Sequence, residues 1–77
     1  MQVTDKLKVG NKISVVLTGD VSSVKNGSKL FDDKGRIYIV NSVGMVEYKN
    51  GETRNDELHA LISPVEIDVG QELTLMQ

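Results

Sequence analysis

The sequence predicts an all-β fold: a small single-domain β-barrel of about six short antiparallel strands occupying residues 1–77. Three observations lead there. Apolar residues fall in short runs rich in Val, Ile, Leu and Thr, the types that fit a pleated, half-buried surface. Gly and Asn-Gly pairs punctuate those runs at close spacing, as turns between strands require. A chain of 77 residues also builds only one small core, with no second lobe and no cleft between lobes.

The first predicted strand covers residues 12–21. Ile13, Val15 and Leu17 share one face and Ser14, Thr18 and Asp20 the other, while Val16 breaks the alternation. Asn26-Gly27 then supplies a turn that tolerates positive φ. Residues 28–32, the polar turn Asp33-Lys34-Gly35 and residues 36–41 carry a hairpin signature. Ile37 and Ile39 share one face of the second arm, Tyr38 and Val40 the other, as in a central strand or one curled within a closed sheet. Phe31 and Tyr38 both read as core. Residues 43–48 form the next strand, ended by Asn50-Gly51, and Gly44 inside it signals a bulge or a sharp bend. Residues 57–62 read as a strand, with a short helical turn capped by Asn55 as the alternative. Residues 72–76 close the chain with Leu73 and Leu75 inward.

Composition narrows the function classes. Cysteine is absent, so disulfides, thiolate nucleophiles and cysteine-ligated zinc are excluded, and a reducing cytoplasmic setting is expected. The N-terminal residues lack the apolar run of a secretory signal, and the longest apolar stretch, Val15-Val16-Leu17, is far too short to span a bilayer. The net charge is −2, divided as +3 over residues 1–50 and −5 over residues 51–77. Interleaved in a barrel, the two halves neutralise one another; a sharper reading is a basic face of Lys8, Lys12, Lys25, Lys29, Lys34 and Arg36.

The residues show no catalytic equipment. His59 is the only histidine, so a two-histidine metal site cannot be built. No serine sits in a Gly-x-Ser-x-Gly turn. The adjacent acids Asp32-Asp33 and Asp56-Glu57 read as solvated turn residues, because paired-acid catalysis needs carboxyls converging across a cleft. Gly27-Ser28-Lys29 has the letters of a phosphate loop in the wrong order, and it leads into a strand. The expectation is a non-enzymatic binding module with no cofactor and no metal, whose partner is RNA or protein. For RNA, Lys25, Lys29 and Arg36 would meet phosphates and Tyr48 would stack on a base. For protein, an apolar patch around Met45, Val46 and Tyr48 would be the anchor. The alternative is a structural or assembly protein that self-associates through a strand edge.

One arrangement resembles a known family. Val15-Val16-Leu17-Thr18-Gly19-Asp20-Val21, followed by Val24-Lys25-Asn26-Gly27-Ser28-Lys29-Leu30, looks like the opening of the translation-factor β-barrel, domain two of elongation-factor-Tu-like GTPases. There a V-x-T-G-x-V strand precedes an I-K-x-G-D-x-V hairpin. Asn41-Ser42-Val43-Gly44-Met45 falls where that family has its central strand, and residues 59–73 are similar to its closing segment. The resemblance covers residues 12–75; Ser63-Pro64 stands where the family has a glycine. It implies a barrel that contacts a nucleotide-binding domain and, as in some members of that family, the aminoacylated end of tRNA. It does not imply GTP hydrolysis, because the chain holds no GTPase domain.

Overall fold

Alternating side chains build the sheet. The structure, a computed structural model describing residues 1–47, 51, 53–63 and 66–76, is all-β, with no helix among those residues. Its strands are β1 (Gln2–Val9), β2 (Lys12–Thr18), β3 (Lys29–Phe31), β4 (Ile37–Glu47), β5 (Thr53–Ser63) and β6 (Thr74–Leu75). They form one antiparallel sheet in the order β1-β2-β5-β4-β3-β6. The ladder does not close. Gln2 makes an isolated bridge to Glu72, and Met1 and Val3 share backbone hydrogen bonds with Leu73, Gln71 and Gly70. The sheet curls until its margins touch at that seam. No described helix is long and apolar enough to cross a membrane.

The core lines the concave side. Ile13, Val15 and Leu17 of β2 lie opposite Ile62, Ala60 and Leu58 of β5, and all six are buried. Tyr38 and Val40 of β4 and Leu30 of β3 continue the layer, closed by Val3, Val21, Val24, Ile67 and Leu73. Each large side chain buried this way contributes roughly 1.5–3 kcal/mol relative to exposure.

The structure departs from the sequence reading at several places; among them, Asp56 and Glu57, read as solvated turn residues, lie half-buried within β5. Strand β1 is absent from the prediction. Its register shifts between Val3 and Asp5, so the concave positions beyond Val3 fall to Lys6 and Lys8, opposite buried Val15 and Ile13. The alternation of Lys6-Leu7-Lys8-Val9 is therefore turned outward, with Leu7 and Val9 exposed on the convex side. Predicted strands 36–41 and 43–48 are one strand, β4. Register shifts fall between Val40 and Ser42 and between Met45 and Glu47, while Gly44 itself pairs regularly with His59. Phe31 is 36% exposed, not core: in a three-residue strand Leu30 takes the inward position, so Lys29 and Phe31 face out. Asp32 is 4% exposed rather than solvated. Residues 57–62 are strand, as expected, with no helical turn.

Candidate functional site

The convex side of β3, β4 and β6 carries an uncovered apolar patch. Phe31 pairs with Ile37 and Lys29 with Ile39, which puts these four side chains on one face. The Met76 amide donates to the Lys29 carbonyl at 2.9 Å, extending the pairing by one residue and adding Met76 to the patch. Phe31, Ile37, Ile39 and Met76 are 36, 46, 47 and 40% exposed. Single exposed apolar residues are ordinary on a protein surface; here four stand together on one face.

Beside the patch lies a groove of about 670 Å³ between β6 and the 23–29 turn, lined by Lys25, Lys29, Ser23, Leu75 and Met76, with no carboxylate in its wall. The turn is held firmly. The Lys25 amide donates to Ser28 Oγ at 2.9 Å, the Ser28 amide to the Lys25 carbonyl at 3.0 Å, and the Gly27 amide to the Val40 carbonyl at 2.7 Å. Asn26 Oδ1 accepts from the Val43 amide at 3.1 Å, which ties the turn to β4. A fixed backbone thus presents two exposed lysines, neither in an ion pair with a described residue.

Arg36 is elsewhere. It lies at the far end of β3, in a second groove of about 650 Å³ with Lys6, Lys8, Glu66 and Asp68. Lys6 Nζ donates to the Ile67 carbonyl at 2.9 Å and sits 3.7 Å from Asp68 Oδ1, so cations and acids are mixed there. Of the predicted contact residues, Lys25 and Lys29 therefore come together, Arg36 stands apart, and Tyr48 lies outside the described residues. In the predicted protein anchor, Met45 is 50% exposed and Val46 half-buried. His59 is exposed, and among the described residues no three His, Cys, Asp or Glu side chains gather as a metal site.

The Asp32 carboxylate fixes the far end. Its Oδ1 accepts from the amides of Arg36 at 2.8 Å and Lys34 at 3.0 Å, and its Oδ2 from Tyr38 Oη at 3.1 Å and Gln71 Nε2 at 2.8 Å. Gly35, with φ of 79°, supplies the left-handed residue this turn requires. Burial pushes the carboxyl up, but the Arg36 amide, the Tyr38 hydroxyl, the Lys34 amide and the Arg36 charge outweigh it and hold the group below the ordinary carboxylate value. Gln71 Nε2 also meets Tyr38 Oη at 3.1 Å, so one network pins the 66–73 segment to β3 and β4. An Asp that opens a Gly-ended hairpin turn is the sequence signal for this anchor; the partner Gln71 has none.

No family model, curated protein or solved structure matches this chain.

Proposed function

We propose that this chain is a non-catalytic binding module that holds a protein partner on the convex face of β3, β4 and β6. The observation that carries the reading is the uncovered group Phe31, Ile37, Ile39 and Met76 beside a groove holding Lys25 and Lys29. The aliphatic make-up suits a protein partner with an apolar centre and an acidic margin. A barrel-like sheet, and with it the likeness to the translation-factor barrel, belongs to the same proposal; the backbone bonds between residues 1–3 and 70–73 support it.

The magnitudes say what the partner must supply. Covering the exposed half of four such side chains returns about 3–4 kcal/mol in total. A micromolar complex needs roughly 8 kcal/mol, on top of the cost of ordering the partners. The apolar face alone is too small, so the lysine groove has to contribute. RNA is the second reading, favoured by one exposed ring, Phe31, next to Lys29. Two clustered lysines neutralise about two phosphates, giving a log–log salt slope of only about −1.4 on a single strand, so this binding would be weak.

Self-association through β1 is the least favoured reading, because that edge is guarded. Lys6 and Lys8 occupy inward positions, the register shifts at its start, and Asp5 Oδ1 caps the Lys6 amide at 2.8 Å.

A displayed library of linear twelve-residue peptides, selected on the intact protein, tests the reading. Binders rich in apolar and acidic residues that lose affinity on Ile39→Lys are expected. A library without binders, together with salt-sensitive amide shifts from a short single-stranded RNA, would replace protein with RNA.

A further inference from the structure

The apolar face says that something docks; the backbone beside it says in what form. In the β3–β6 pair, Leu75 lies opposite Leu30 and Thr74 opposite Phe31. The Met76 amide donates to the Lys29 carbonyl at 2.9 Å, which makes Leu30 and Leu75 a non-hydrogen-bonded pair. The N–H and C=O of Leu75 therefore point away from β3, toward the free edge. Two residues earlier the same edge is covered: the Leu73 amide donates to the Met1 carbonyl at 2.8 Å, and the Met1 amino group to the Leu73 carbonyl at 2.9 Å. Among the described residues β6 pairs with β3 alone and ends the strand order, so no described strand faces the N–H and C=O of Leu75 on that side.

Space lies along that uncovered edge. The lysine groove and a smaller groove of about 250 Å³ share Ser23 and Leu75 and together flank β6; Asp20 lines the smaller one beside Met1, so the cationic part of the slot is its Lys25–Lys29 end. We infer that this slot takes an extended, acidic–apolar peptide segment of a partner protein, which adds to the sheet as a strand beside β6. The inference rests on the protein-binding reading above and gives it a binding mode. A peptide residue opposite Leu75 exchanges both backbone bonds with it and turns its side chain to the concave side, toward half-buried Leu75. Its neighbours in the peptide face the convex side, where Lys29 and Met76 stand, and Lys25 waits across the groove. Alternation of apolar and acidic residues is what this geometry selects.

The test takes the strongest binder from the twelve-residue library and two series of its variants, each with backbone N-methyl groups at alternate residues. Strand addition predicts that one series loses binding at least a hundredfold while the other keeps it within threefold. It also predicts amide shifts at Leu75, Met76 and residues 23–29, and at least a tenfold loss of affinity in the Lys25→Glu, Lys29→Glu double variant. Equal tolerance of both series, with shifts confined to Phe31, Ile37 and Ile39, would overturn strand addition and leave the protein-binding reading standing. A library without a single binder would overturn both.

Discussion

The two margins of the sheet are treated in opposite ways. The outer edge of β1 is covered at Gln2 and Val3 by residues 70–72, and over the rest of the strand three devices spoil it as a template: inward Lys6 and Lys8, a register shift near Thr4, and the Asp5 carboxylate on the Lys6 amide. Strand β6 has two residues, carries none of these devices, and borders a groove with two lysines and a smaller one with Asp20. A long edge left open invites uncontrolled pairing, whereas a short one offers a single backbone pair whose use depends on side chains alongside. That difference separates protection against self-pairing from a place where selective pairing is allowed.

The largest expected effect comes from removing the guard. Lys6→Thr with Lys8→Val puts β-favouring side chains on the concave side of β1, and Asp5→Thr frees the Lys6 amide. Light scattering should show the triple variant growing with concentration at protein levels where the parent chain stays constant. A triple variant as monomeric as its parent would mean that those residues are not what blocks the edge.

Anchoring of the 66–73 segment is next. Tyr38→Phe removes the hydroxyl that bonds Asp32 and Gln71 while keeping the buried ring, so unfolding in urea should show a loss of about 1–2 kcal/mol. The same segment contributes Leu73 to the seam, so amides of residues 70–73 should lose more exchange protection than those of β2.

Acid should act through the same network. The Asp32 carboxyl is held below its ordinary value in the folded chain, so its contribution is complete above the unfolded value and is lost as pH falls through the folded one. Parent and Asp32→Asn chains should both weaken in acid, the variant with the shallower slope across that window. Parallel slopes would contradict the assignment.

The smallest effect is at Gly44. Its φ is not in the left-handed region, and a Cβ there meets nothing within 4 Å. Gly44→Ala should therefore stabilise by about 0.4–1 kcal/mol through the unfolded chain. Destabilisation would show that the convex side of β4 is more crowded than it stands here.

Much of this was legible in the residues and some was not. The alternation of Ile13, Val15 and Leu17 against Ser14 and Thr18 marks β2 and its inner face directly. Lys25 and Lys29 flank an Asn-Gly turn, and that proximity survives in the groove. Arg36 looks like their companion in sequence, but the turn anchored by Asp32 carries it to the other end of β3. Strand β1 was missed although Leu7 and Val9 alternate with Lys6 and Lys8, because the register shift after Val3 puts the lysines inward and leaves the two apolar side chains exposed, so the run has no buried stripe beyond Val3. The open edge at Leu75 was invisible for a different reason. It depends on where Met1 pairs, a contact across 72 positions that no local pattern encodes.

Backbone amide exchange in the free protein tests the contrast between the edges most directly. The amides of Leu73 and Met76 donate to carbonyls and should be protected, while the Leu75 amide between them should exchange close to its unprotected rate. Protection of Leu75 equal to that of its neighbours would mean the edge is already occupied, and the account of an open, selective margin would fall.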